Sequence, residues 1–242
     1  MRRRFFVEQL KGNRAVMEGE AAHHLGRVLR AKNGQLYELS DGNRVWLARI
    51  EEVNRDRIVF SLVENLAAKE QALRATLLLS VVKFDAFEFG LEKATELGVS
   101  AIIPVAAARS EKALLAAAPK RAERWKKILL EASQQSRRLR VPELAALTKS
   151  EAAFLSTSMG LKVLLSERPE ARSLRSVLEE QQPASAAALA IGPEGGWTDA
   201  EFNCACEHGF CEASLGRLIL RTETAVIAAL ASLNYALSQQ EL

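Results

Sequence analysis

The sequence predicts an α/β protein in two parts: a small strand-rich module of barrel-like build, then a larger domain with a mainly parallel sheet. Three observations carry this. Short apolar runs broken by turn signals fill residues 1–65. From residue 72 onward, apolar runs alternate with helical stretches, the pattern of a sheet covered on both faces. Between the two, Asn65-Leu66-Ala67-Ala68-Lys69-Glu70-Gln71 reads as a linker, so the domains are 1–68 and 72–242.

Each element has a local reason. Phe5-Phe6-Val7 is a short strand, and a helix is expected over 19–31. Gln35-Leu36-Tyr37-Glu38-Leu39 and Val45-Trp46-Leu47-Ala48-Arg49-Ile50 flank Ser40-Asp41-Gly42-Asn43, a hairpin signal. Residues 57–63 give the next strand. In the second domain the strands fall at 76–82, 101–105, 162–166, 186–191 and 214–220. Helices fall near 86–97, 119–136, 168–181, 199–208 and 224–238. Asp85 with Glu88 and Thr198 with Glu201 have capping-box spacing, and Gly98 and Gly209 can close their helices in the left-handed conformation.

Composition narrows the class. The 242 residues are 48% hydrophobic and 26% charged, the balance of a globular protein. No apolar run approaches the roughly 18 residues of a membrane span. The basic start Met1-Arg2-Arg3-Arg4 is followed by no apolar signal core, and Cys204, Cys206 and Cys211 form no disulfide framework; a reducing cytoplasm is expected. Of the charged residues, 13 Lys/Arg and 10 Asp/Glu lie in 1–70, against 20 and 20 in 71–242. The net charge of +3 therefore sits in the first module, which suits a polyanion such as RNA. Cys204-Ala205-Cys206-Glu207-His208 with Cys211 fits no standard zinc spacing, so no metal is expected and the cysteines read as small buried hydrophobes.

Two loops carry candidate chemistry. Ile191-Gly192-Pro193-Glu194-Gly195-Gly196-Trp197-Thr198 leaves an apolar strand and enters a capped helix. Its glycines allow close backbone approach to a ligand, although a tight structural turn is the equal alternative. Leu215-Gly216-Arg217-Leu218-Ile219-Leu220-Arg221-Thr222-Glu223-Thr224-Ala225 also ends at a helix start. Arg221 and Glu223 are active-site candidates there, or a surface ion pair with a Thr cap.

Together these loops resemble one family. Gly-Pro-Glu-Gly-Gly, then Leu-Gly-x-x-Ile-Leu-Arg-Thr-Glu-Thr-Ala, is similar to the ribosomal RNA small-subunit methyltransferase E family, the uridine-N3 methyltransferases of the knotted SPOUT superfamily. His23-His24-Leu25 with Val28-Leu29-Arg30, Lys93-Ala94-Thr95-Glu96-Leu97-Gly98-Val99, Arg109-Ser110, and the 125–142 stretch with Gln135, Ser136 and Arg138 match in order. Trp197 stands where the family often has Phe or Tyr. Arg137-Arg138-Leu139-Arg140 replaces Gly-Arg-Asn-Arg, and Lys83-Phe84-Asp85-Ala86-Phe87 replaces a stretch richer in glycine.

The resemblance implies a PUA-like amino-terminal barrel and a SPOUT domain with a deep trefoil knot. It implies S-adenosylmethionine as cofactor, held by Leu165, Ser166, Ile191, Gly192, Pro193, Glu194, Gly195, Gly196, Leu215, Gly216, Leu220, Arg221, Thr222 and Ala225. The reaction implied is methylation of a uridine N3 in 16S ribosomal RNA, within the assembled small subunit, by a homodimer. Glu194 or Glu223 would take the N3 proton, and Arg138 or Arg221 would stabilise charge on the uracil oxygens. Arg2, Arg3, Arg4, His23, Arg27, Arg30, Gln135, Arg137 and Arg138 would contact RNA. The rivals are a SPOUT enzyme acting on ribose or transfer RNA, and a non-catalytic assembly factor.

Overall fold

Alternating apolar residues and tight turns build the chain up to Leu66. The structure, a computed structural model, describes residues 3–7, 10–68, 73–180 and 185–237. It divides into two units: Met1–Glu70 with Ser133–Val141, and Gln71–Ala132 with Pro142–Leu242.

The first unit contains β1 (Arg4–Phe6), β2 (Leu10–Lys11), β3 (Arg14–Glu18), α1 (Gly19–His23), β4 (Leu36–Ser40), β5 (Val45–Val53) and β6 (Arg57–Leu66). They form one six-stranded sheet in the order β1-β4-β5-β6-β3-β2. The β4–β5 turn is built as its residues demand: Gly42 takes φ 86, and Asp41 Oδ1 accepts from the N–H groups of Asn43 and Arg44 at 2.8 and 2.7 Å. Register shifts in β5 between Leu47 and Ala48, and between Ile50 and Glu52, bend the strand and curl the sheet. Phe5, Met17, Leu25, Leu39, Ile50, Ile58 and Phe60 fill its core. The β2–β3 hairpin escapes the sequence analysis because β2 has two residues, too few to show a period; Gly12 at φ 60 was its one signal. The helix expected over 19–31 is α1 followed by a π-helical turn, His24–Val28, closed by Leu29 N–H to His24 O at 3.1 Å. Arg30, at φ 51, then stops it.

The second unit contains β7 (Arg74–Ser80), α2 (Phe84–Glu96), β8 (Ala101–Ala106), α3 (Lys112–Gln135), β9 (Glu143–Leu144), β10 (Thr148–Lys149), α4 (Ser150–Ser156), β11 (Leu161–Leu165), α5 (Leu174–Glu180), β12 (Ala186–Ile191), α6 (Asp199–Glu207), β13 (Cys211–Ala213) and α7 (Thr222–Leu237). The sheet runs β10-β8-β7-β12-β11-β13, with β9 also beside β8, and every pairing is parallel. The central strands β7 and β12 are apolar on both faces, with Leu77, Leu78, Leu79 and Ala187 to Ala190 fully buried, because a parallel sheet is covered on both sides. Among the described residues no helix is long and apolar enough to cross a membrane.

Three expectations are corrected. The strand placed over 214–220 is a loop; β13 lies before it, and Leu218 and Ile219 are 82% and 81% exposed. Asp85 and Glu88 form no capping box: α2 starts after Lys83 without a side-chain cap, and Glu88 instead binds Arg121 and Arg124 at 3.2 and 2.7 Å. The helix placed over 119–136 begins at Lys112 and carries Pro119 inside it.

Ser133–Val141, the end of α3 and the stretch after it, belongs to the first unit rather than with the second domain. Ser40 Oγ donates to Leu139 O at 2.7 Å, Arg4 Nη1 donates to Arg137 O at 2.5 Å, and Arg140 holds Gly42 O and Asn43 Oδ1. Arg137 closes α3 at φ 54, with Arg138 N–H bonded back to Ser133 O at 3.0 Å. At this position the resembled family tends to have glycine. A non-glycine residue there costs about 1 kcal/mol, partly offset by the lower unfolded-state entropy it brings. Arg137→Gly is expected to stabilise the protein by about 0.5 kcal/mol, seen as a higher urea midpoint at unchanged slope. A lower midpoint would show that the Arg137 side chain outweighs its backbone strain.

Candidate active site

The carboxyl ends of β11 and β12 lie side by side, where open parallel sheets bind ligands. Leu165 and Ile191 end these strands and are 9% and 3% exposed. The chain leaving β12 must turn at once, and the Gly196 N–H closes the turn onto Pro193 O at 2.8 Å, with Gly196 at φ 68. The Trp197 indole folds back under Gly192, where a Cβ would sit 3.2 Å from the ring. Its Nε1 donates to Leu165 O at 3.1 Å, and its ring meets Phe154 edge-on at 5.5 Å. Trp197 thus ties the loop after β12 to the end of β11.

Arg109, from the stretch after β8, grips the same loop. Its Nη1 donates to Gly195 O at 2.6 Å and to Trp197 O at 3.3 Å. Its methylenes cover Gly195, where a Cβ would come within 3.3 Å of Cδ. Beneath, Thr198 and Glu201 form the capping box expected from sequence. The Glu201 carboxylate does more than cap: Oε1 also accepts from Ala108 N–H at 2.8 Å and Ser150 Oγ at 2.7 Å. Burial pushes this carboxyl up, but its hydrogen bonds outweigh burial and hold it below its ordinary value.

The third wall is the loop 214–221. Ser214 Oγ accepts from Gly216 N–H at 3.2 Å, Gly216 takes φ 133, and Arg221 O begins α7 by accepting from Ala225 N–H at 2.9 Å. The three walls enclose a cleft of about 590 Å³. Leu165, Ser166, residues 191–196, Leu215, Gly216, Leu220, Arg221, Thr222 and Ala225 all line it. Distant parts of the chain are thus brought to one place. Sequence reasoning overlooks Arg109, Glu167, Arg168, Trp197, Asp199 and Phe202 in the same lining. Arg168 stacks 4.3 Å over the Phe202 ring and lies 4.0 Å from Asp199. In the sequence, the Arg109-Ser110 motif and Trp197 of the glycine loop gave the signals for this group.

The expected catalytic and RNA-contact residues are only partly gathered at the cleft. Glu194 and Arg221 are exposed at the cleft. Glu223 is half-buried in the first turn of α7, outside the lining. Arg138 belongs to the first unit, where its Nε donates to Arg140 O at 3.1 Å and burial lowers its guanidinium to about 10. Arg2 lies outside the described residues. Arg3, Arg27, Arg30, Gln135 and Arg137 are exposed, and His23 is half-buried, 3.4 Å from Arg27 Nη1. Arg4 is instead drawn inward: its Nε and Nη2 donate to Glu38 Oε2 at 3.1 and 2.9 Å, with 13% side-chain exposure. Cys206 and Cys211 are exposed rather than buried, and among the described residues no group of three or more His, Cys, Asp and Glu could hold a metal.

The cleft fits S-adenosylmethionine. Its volume is that of a small-ligand site. Leu165, Ile191 and Leu220 offer apolar walls for an adenosine, the glycine loop offers bare backbone, and the rim carries acids for a cation and arginines for a carboxylate. The RNA methyltransferase domain model matches residues 69–234, and the RNA methyltransferase PUA domain model matches residues 18–63. A Ribosomal RNA small subunit methyltransferase E from Synechocystis is 35% identical over 88% of this chain and 70% of its own length. The chain belongs to the ribosomal RNA small subunit methyltransferase E family. The Bacillus subtilis member of the methyltransferase E family is 30% identical over 90% of this chain and 88% of its own. The methyltransferase E structure from Neisseria gonorrhoeae, bound to S-adenosyl methionine, matches with a TM-score of 0.88 and 31% identity, covering 97% and 98% of the two chains.

Proposed function

We propose that this protein methylates N3 of a specific uridine in 16S ribosomal RNA, using S-adenosylmethionine. The observation that carries this reading is the single cleft built from both glycine-bearing loops, in a chain whose Neisseria relative was solved with that cofactor. When bound, the cofactor supplies an electrophilic methyl carbon on its sulfonium.

The chain's own residues supply position and charge. The glycine loop, fixed by Trp197 and Arg109, binds the cofactor's polar edges through backbone groups. Uracil N3 carries a proton that must leave. Glu194, at the cleft, takes it onto its carboxylate, while Arg221 donates hydrogen bonds to the uracil oxygens where charge gathers. By the same resemblance Glu223 is the alternative base; Arg138, the other cation named from the sequence, lies in the first unit. N3 lies on the pairing edge, so the target base is unpaired or flipped when it enters.

The family resemblance implies a deep trefoil knot in the second unit. The exposed Leu218 and Ile219 suit burial in a homodimer. The RNA-binding function of the first unit rests on its match to the PUA domain and on exposed Arg3, Arg27 and Arg30. The substrate is the assembled small subunit, in the cytoplasm.

The test is mass spectrometry of nucleosides from small-subunit RNA, in cells with and without this gene. N3-methyluridine is expected to vanish with the gene and return on adding purified protein with S-adenosylmethionine. An unchanged level would move the activity to another RNA. In the same assay Glu194→Gln is expected to lower turnover about 100-fold, with S-adenosylhomocysteine affinity within about threefold of the parent. Full turnover in this variant would leave Glu223 as the base.

A further inference from the structure

Arg109 is more than a clamp. Its guanidinium uses one nitrogen, Nη1, for both loop carbonyls. The remaining N–H groups, on Nε and Nη2, have no protein partner among the described residues. Those two nitrogens form the side-on fork that matches a pair of oxyanion oxygens. The side chain is exposed and lines the cleft beside Glu194, Gly195 and Gly196, which are exposed as well. It therefore stands at the rim, whereas the apolar adenosine walls Leu165 and Ile191 are buried. Lys or Gln could hold the loop carbonyls; neither offers a second, planar donor pair on the other side.

We propose that Arg109 is two-sided: Nη1 sets the glycine loop, and the Nε–Nη2 fork receives a phosphate of the RNA at the target nucleotide. This rests on the methyl-transfer reading above. A tetrahedral phosphate of the incoming strand and the carboxylate at the tail of the cofactor share the same oxyanion chemistry. The rim position favours the phosphate, because the strand arrives from solvent. Binding of that phosphate then presses on the group that fixes Gly195 and Trp197, so substrate arrival and loop geometry share one side chain.

Arg109→Lys and Arg109→Met are compared with the parent protein on small subunits lacking the methyl group. The measurements are kcat, KM for the subunit at several salt concentrations, and calorimetric Kd for S-adenosylhomocysteine and for methylthioadenosine, which has no carboxylate. For Arg109→Lys, KM is expected to rise about tenfold and its salt slope to fall by about one phosphate. Both nucleosides should bind that variant within about threefold of the parent. Arg109→Met should show the same loss of salt slope, with weaker binding of both nucleosides because the loop is also released. Loss of S-adenosylhomocysteine but not methylthioadenosine affinity, at unchanged salt slope, would overturn the proposal and give the fork to the cofactor carboxylate. Equal loss of both ligands at unchanged slope would overturn it in favour of a structural clamp alone. A parent protein that methylates no small-subunit RNA would instead sink the methyl-transfer reading itself.

Discussion

Gly192→Val is expected to weaken S-adenosylmethionine binding about 100-fold, measured by calorimetry on a protein that still unfolds cooperatively. A Cβ at this position would lie 3.2 Å from Cε2 and Nε1 of Trp197. The indole cannot swing away cheaply. Its Nε1 is bonded to Leu165 O, its ring packs on Phe154, and its carbonyl is held by Arg109. Moving it breaks a hydrogen bond worth about 1 kcal/mol and strains a packed contact by about 2 kcal/mol. The total of about 3 kcal/mol corresponds to two powers of ten in affinity. Gly196→Ala is the internal comparison. Gly196 has open space around its Cβ position, so only its φ of 68 resists, and less than tenfold should be lost. Affinity within threefold of the parent at Gly192→Val would mean that the indole does not shape the cofactor wall.

Glu201→Ala should destabilise the protein by about 3–5 kcal/mol, the largest stability effect anticipated here. Glu201 is 8% exposed and accepts from Ala108 N–H, Ser150 Oγ, Thr198 N–H and Thr198 Oγ1. Truncation leaves these donors without an acceptor and removes half of a capping box. Glu201→Gln keeps the shape but turns an amide NH2 toward donors, and should cost about 1–3 kcal/mol at neutral pH. The pH dependence has a definite sign. Its folded pKa is lowered, so the stabilisation is present above the unfolded carboxylate value of about 4.3 and is lost as pH falls through the folded value. The gap in urea midpoint between parent and Glu201→Gln should therefore narrow from pH 6 to pH 3. A gap that stays constant over that range would show that the carboxylate charge is not what its four donors stabilise.

The site was legible where chain neighbours decide it. Thr198 and Glu201 cap one helix turn, so their spacing alone predicts the bond. Gly98 and Gly209, at φ 94 and 81, stop their helices because only the local left-handed conformation is at stake. The glycine loop and the 215–225 segment also carried enough particular residues to mark a family. Where partners lie far apart in sequence, pattern failed. Glu88 has capping spacing from Asp85, yet Arg121 and Arg124 pack beside it and claim its charge. Arg4 looks like a phosphate contact, yet Glu38 and the Arg137 carbonyl hold it. Leu215, Leu218, Ile219 and Leu220 are apolar enough for a strand, but Cys211–Ala213 already occupies the place beside β11.

By itself the sequence determined the α/β class, the hairpin at Gly42, the Thr198–Glu201 cap and the residues that form the two loops. These depend on hydrophobic period and on bonds spanning a few residues, which any window of the chain contains. Tertiary structure alone decided that Trp197 seals Gly192 to Leu165, that Arg109 reaches 86 residues along the chain to hold Gly195, and that Glu201 joins three segments. Those contacts exist because the parallel strands place their carboxyl ends together, and which side chains then meet is set by packing in three dimensions rather than by any spacing in the chain.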